Sequence, residues 1–147
     1  MFGCKRVKMM VMGIVAMVSA IALAGDGYGF KCADKECGYA PTIIFGGGML
    51  FDQAMGWCHQ CKAFKSVQWT NEGAPVLDPN AKKTPKPKPL AEVWVATIGQ
   101  TRKIYKCPGC EDGSFMEIRK PEEITHCPKC AKPGFKIDPN APRLAVD

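Results

Sequence analysis

The chain has 147 residues, 46% of them hydrophobic, with nine cysteines, twelve prolines and a formal charge of +6. Without Lys5, Arg6 and Lys8, near the start of the chain, seventeen basic residues remain against fourteen acids, a balance of +3. So weak a basic excess is not the footprint of a nucleic-acid-binding surface, and the length allows one ordinary domain or two small ones.

The first predicted element is residues 1–24. Lys5, Arg6 and Lys8 form a basic start, Met9 to Ala24 is an uncharged apolar run, and Ala22-Leu23-Ala24 closes it with small residues where a signal peptidase reads. Those are the three parts of a secretory signal peptide, expected to form a short helix. The run of 16 residues is shorter than the roughly 20 needed to span a bilayer. Cleavage after Ala24 is therefore expected, and with it export to the periplasm or secretion into the medium. A membrane association follows only if the segment is retained as an anchor.

After Cys32 and Cys37, Pro41 to Phe51 reads PTIIFGGGMLF, two apolar runs around three glycines, which predicts a hairpin. A phosphate-cradling role for these glycines would need a following helix with Lys and Ser or Thr, and none follows. Beyond Cys58 and Cys61, Ala63 to Thr70 (AFKSVQWT) has the composition of a strand. Trp57 and Trp69 are expected to pack at the core or its rim. Asn71 to Pro89 is rich in Pro and Lys without hydrophobic period, which predicts an extended spacer. Such a segment can also meet a proline-reading domain or an anionic surface.

The second half opens with Ala91 to Gly99 as a strand, a turn at Gln100-Thr101, and Arg102 to Cys107 returning. Asp112-Gly113-Ser114 turns the chain, Phe115 to Ile118 is a strand, Pro121 to Thr125 a loop, and Gly134 to Ile137 the last strand with Phe135 inward. Asp-Pro-Asn-Ala occurs at 78–81 and again at 138–141. Its proline fixes φ while Asp and Asn bond back to the backbone, so it is expected to end the last strand of each half.

The chemistry lies in eight cysteines arranged as four close pairs: Cys32/Cys37, Cys58/Cys61, Cys107/Cys110 and Cys127/Cys130. The gaps between pairs are 20, 45 and 16 residues, which groups them as C-x4-C-x20-C-x2-C and C-x2-C-x16-C-x2-C. Two intervening residues let a tight turn aim both sulfurs at one point, and two such turns make a tetrahedral cage suited to Zn²⁺. Disulfides are the competing reading for an exported chain, although vicinal pairs close tiny rings and cross-link little of it. His59 and His126 stand beside knuckles that already have four thiols. Ser66 and Ser114 have no nucleophile setting.

Tyr105-Lys106-Cys107-Pro108-Gly109-Cys110 and His126-Cys127-Pro128-Lys129-Cys130 resemble the knuckles of zinc-ribbon and rubredoxin-like folds. The resemblance implies small β units with each cysteine pair at a hairpin tip and the metal between tips. Rubredoxins carry glycine after each pair. Here Gly38 occupies one such position and Lys62, Glu111 and Ala131 the others, which points to structural zinc ahead of redox iron. The expectation is thus a mostly β chain: signal peptide 1–24, first Cys4 ribbon 25–70, Lys/Pro linker 71–89, second Cys4 ribbon 90–147. All eight paired cysteines would be ligands to two Zn²⁺, with Fe the alternative. The expected role is non-enzymatic, a binding or scaffolding module for another envelope protein. A rubredoxin-like electron carrier and an exported thiol/disulfide or metal-transfer protein are the alternatives.

Overall fold

The computed structural model describes residues 25–146. The expected signal peptide, residues 1–24, lies outside these residues. Among the described residues no helix is long and apolar enough to cross a membrane. The described residues build nine short strands and a single 3-10 turn.

β1 (Gly25–Cys32) is the centre of the first sheet. β2 (Thr42–Phe45) pairs with it antiparallel, with Asp26 opposite Phe45 and Gly29 opposite Thr42. Two strands from the far end of the chain also pair with β1: β8 (Phe135–Ile137), which sets Cys32 opposite Phe135, and β9 (Leu144–Val146), which sets Gly27 opposite Leu144. The second Asp-Pro-Asn-Ala lies between β8 and β9. Asn140 N–H donates to Asp138 Oδ1 at 3.0 Å, Ala141 N–H to the Asp138 carbonyl at 3.1 Å, and Asp138 N–H to the Gly29 carbonyl at 2.8 Å. The turn is therefore a step aside within the pairing to β1, after which the chain rejoins the same strand. Gly29 makes room for it, because a β-carbon there would overlap that of Ala141. The first copy makes the same internal bonds, from Asn80 N–H to Asp78 Oδ1 at 2.8 Å and from Ala81 N–H to the Asp78 carbonyl at 3.1 Å. It follows no strand directly, so only the local turn is shared.

β3 (Phe51–Cys58) and β4 (Ala63–Thr70) form a hairpin in full register, from Phe51 opposite Thr70 to Cys58 opposite Ala63. This corrects the expected hairpin around the glycine run. β2 pairs with β1 and β3 with β4, so Gly46-Gly47-Gly48 connects two sheets. Gly46 takes φ 75°, a left-handed conformation that glycine adopts without strain.

β5 (Ala91–Val95), β6 (Gln100–Lys106) and β7 (Ser114–Met116) make the third sheet. The β5–β6 turn is residues 96–99, not Gln100-Thr101. Gly99 supplies the left-handed φ of 61°, leaving Gln100 free to pair with Val95. The 3-10 turn Pro121–Glu123 leads from this sheet towards Cys127.

β3 is the wall shared by the two apolar clusters. Ala54 packs with Trp69, Tyr105 and Phe115. Its neighbour Met55 points the other way, into Phe30, Ile43, Phe45, Ile124 and Phe135. Phe135 is inward as expected and stacks on Phe30 with ring centres 5.2 Å apart. Trp69 lies in the core, and Trp57 packs edge-on against Phe64 and Tyr39. Gly56 lets β7 approach, since a β-carbon would run into the Met116 carbonyl, and Met55 bridges to Ile118.

The 71–89 segment is extended and largely exposed, but it is tied back to β4. Thr70 N–H donates to the Thr84 carbonyl at 2.9 Å, and the Lys86 ammonium lies 4.8 Å from the centre of the Trp69 ring. The expectation of two separate ribbons on either side of it is corrected by the strand pairing. β1 from one side is sealed by β8 and β9 from the other, and β3 packs on β7.

Candidate metal centres

Strand ends bring the eight cysteines into two groups of four, and the grouping differs from the sequence order. Cys58 ends β3 and Cys61 lies in the turn before β4. Cys107 follows β6 and Cys110 lies in the turn before β7. These four form one set. Cys32 ends β1, Cys37 lies in the loop to β2, and Cys127 and Cys130 flank the turn before β8. These four form the other set. The second pair thus joins the third and the first joins the fourth. The physical reason is long-range: β1 takes β8 as its neighbour, and the β3–β4 hairpin packs on β7. The set of Cys58, Cys61, Cys107 and Cys110 is the inner site, and the set that encloses it in sequence is the outer site.

The two sites share one geometry. In the inner site Cys58 Sγ is 3.6 Å from Cys110 Sγ, and Cys61 Sγ is 3.7 Å from Cys107 Sγ. In the outer site the matching distances are 3.6 Å for Cys32–Cys130 and 3.7 Å for Cys37–Cys127. Within each set all four sulfurs lie within 4.8 Å of one another. A disulfide needs about 2.05 Å. A tetrahedron with metal–sulfur bonds of about 2.3 Å has edges of about 3.8 Å. The sulfurs are therefore placed to hold one metal ion per set, and bond length alone does not separate zinc from iron. In each set the first cysteine of each pair is buried and the second is partly exposed. No histidine belongs to either set: His59 is exposed, and His126 Nδ1 is 2.9 Å from Thr125 Oγ1.

Backbone amides are aimed at the sulfurs. Gly109 N–H donates to Cys107 Sγ at 3.3 Å and Cys61 N–H to Cys58 Sγ at 3.5 Å. The Cys61 amide is the main cause that draws the Cys58 thiol down to about 7. Cys110 is pushed up, first by its contact with Cys61 and then by burial. In the outer site burial pushes Cys32 up to about 12. Burial raises Cys127 as well, but amides of Cys130 and Lys129 outweigh it and hold that thiol low. A metal ion taking four thiolates must displace the proton held by Cys110 in the inner set or by Cys32 in the outer.

The position after each pair carries a turn that the sequence pattern hides. Gly38 has φ 58°, and so does the equivalent backbone at Lys62 (50°) and Ala131 (59°). Three of the four knuckles carry a left-handed residue directly after the second cysteine, two of them without glycine. The fourth uses a different device. Gly113 lies where an added β-carbon would overlap Cys110 Sγ and sit 3.0 Å from Cys58 Sγ, while its carbonyl accepts from Cys107 N–H at 2.8 Å. Asp112-Gly113-Ser114 is legible as a turn. That its glycine touches a thiol set appears only once β6 and β7 are paired.

Charged groups tie the sites together. Lys132 bridges to Asp34, which clamps the Cys127/Cys130 turn to the Cys32/Cys37 loop and holds the Asp34 carboxyl below its usual range. Lys129 lies 5.9 Å from the Tyr39 ring centre. Arg102, buried on β6, donates from Nε and Nη2 to the two carboxylate oxygens of Glu123 at 3.1 and 2.6 Å. β6 leads into Cys107, and Glu123 precedes Cys127, so this pair links an inner knuckle to an outer one. Sequence gave no signal for it beyond two unremarkable charges.

The chain matches no family model, no curated protein and no solved structure. The reading of these sites rests on their own geometry.

Proposed function

We propose that the chain is an exported, non-enzymatic protein with two structural Zn²⁺ sites, acting as a binding or scaffolding module for another protein of the cell envelope. The observation that carries the metal part is the repeated sulfur spacing of 3.6 and 3.7 Å in two separate sets. Four thiolates close the coordination sphere, whereas a catalytic zinc keeps a position for water. The apolar clusters are small and divided, so metal ions would supply much of the folding free energy. The eight cysteines named above are the proposed ligands. Export rests on the three-part pattern of residues 1–24.

Elemental analysis with an absorption spectrum of protein isolated from its native compartment tests this reading. Two zinc ions per chain, no visible colour and an intact mass lacking residues 1–24 are expected. A metal-free chain that reductant unfolds would make the cysteines disulfides and overturn it.

A rubredoxin-like iron carrier is the second reading. It is favoured by the left-handed backbone at Gly38, Lys62 and Ala131 and by the Gly109 amide on Cys107 Sγ. Amide-to-sulfur bonds tune an iron–thiolate potential. Visible colour that bleaches reversibly on reduction would decide for iron.

A further inference from the structure

Two turns place apolar side chains side by side on a surface away from both cysteine sets. Met49, in the connection before β3, is 77% exposed, and Val76 and Leu77 are 68% and 76% exposed. Asn71 fixes the turns together: its side-chain amide donates to the Gly48 carbonyl and its N–H to the Leu50 carbonyl at 3.0 Å. Between them lies a cleft of about 160 Å³ whose wall continues into Lys82 and Lys83. Lys86 and Lys88 leave this face: Lys86 lies over Trp69, and Lys88 lies beside the Cys107–Cys110 turn. Among the described residues neither Lys82 nor Lys83 is in a salt bridge. Asp78 also lines the cleft, its carboxylate accepting the Asn80 N–H, and with Lys82 and Lys83 it leaves the lining at a net charge of +1.

The geometry points to this face as a docking surface for an anionic phospholipid bilayer. Apolar tips that project would enter the acyl boundary while the adjoining lysines meet lipid phosphates, the two signals that together give stable peripheral binding. A peptide partner fits less well. The cleft is smaller than an ordinary ligand pocket of about 300–1,000 Å³, and Val76 and Leu77, which line its edge, are largely exposed, as is Met49 outside it. The contrast with β5–β7 is informative. Trp94 and Met116 are also exposed there, at 64% and 41%, but Lys103 beside them faces Glu92. This inference does not depend on which metal the cysteines hold.

Hydroxyl-radical footprinting of the full metal-loaded chain tests it. Met49 oxidation is read against Met116 in the same molecule, with vesicles of phosphatidylcholine alone or mixed with phosphatidylglycerol. Met49 should be protected relative to Met116 on the mixed vesicles only. The Lys82→Gln/Lys83→Gln variant should need roughly 25-fold more lipid for half-protection, about fivefold per lysine. Leu77→Ser should reduce the protection without altering metal content. Equal protection of Met49 and Met116, protection on neutral vesicles as strong as on anionic ones, or no protection on either would overturn the proposal. Protection of Met49 by an acidic peptide, with none by vesicles, would make the face a peptide site.

Discussion

The inner and outer sites have the same sulfur geometry but are reached by different routes through the chain. The inner site is built by the tips of two hairpins, β3–β4 and β6–β7, with 45 residues between Cys61 and Cys107. The outer site must close 89 residues between Cys37 and Cys127, and the whole inner unit lies inside that loop. Loop-closure entropy grows only as the logarithm of length, so distance alone separates the two modestly. The larger difference is dependence. Once the inner unit has formed, β3 and β7 present Met55 to the outer core, and Arg102 is in place for Glu123. The comparison teaches that two alike centres can stand in a hierarchy, with the inner one as the template for the outer.

Cysteine removal is the strongest way to break that hierarchy. We expect Cys58→Ser to lower the metal count from two towards zero, because loss of the inner centre removes the platform for the outer one. Cys130→Ser should leave one metal and the β3–β7 region folded, with β1, β8 and β9 released. A structural tetrathiolate site contributes apparent binding of about 10–16 kcal/mol, well above the ~3–5 kcal/mol that a small core supplies. Metal analysis with amide-resolved hydrogen exchange reads both variants. Equal loss in the two would remove the hierarchy.

The Arg102–Glu123 link tests how the two centres communicate. Glu123→Ala strands a buried guanidinium, which costs about 3–5 kcal/mol where one partner of a buried pair is removed. The loss should appear chiefly in the outer site, as weaker metal retention against a chelator, while the inner site keeps its metal. Equal loosening of both would show that the pair supports the fold at large.

Gly113→Ala acts on the inner site alone. Its methyl group would meet Cys110 Sγ, and overpacking of this kind costs about 1–3 kcal/mol. Chelator competition should show inner-site affinity falling by roughly 10- to 100-fold on that basis. Gly38→Ala is the matched change in the outer site: nothing lies within 4 Å of its added β-carbon, so only the left-handed φ resists it.

A smaller effect, of opposite sign, is expected at Ala131. Its φ of 59° carries a left-handed penalty of about 1 kcal/mol that glycine avoids, so Ala131→Gly should stabilise the outer knuckle by up to that amount. Thermal unfolding of the metal-loaded protein reads it. Smallest of all should be the effect of one protease cut between Lys82 and Lys88. Because each site takes one cysteine pair from each side of the cut, the two pieces should stay together with both metals bound and separate only on chelation. Two independently loaded fragments would restore the division at 71–89.

The sequence by itself determined what local chemistry determines. Four cysteine pairs announce four knuckles because close spacing fixes a turn regardless of what lies elsewhere. β4 is legible over Ala63–Thr70 from its composition, and Asp-Pro-Asn-Ala forms the same turn at 78 and 138 because its bonds are internal. Tertiary structure alone decided which knuckles share a site. A cysteine pair carries no label for its partner, and the choice follows from Cys32 lying opposite Phe135 and Met55 bridging to Ile118. Left-handed backbone at Lys62 and Ala131, the closeness of Gly113 to Cys110, and the burial of Arg102 were equally silent in the sequence. Each is imposed by residues distant along the chain, and the packing that imposes it exists only when β1, β3 and β6 have found their partners.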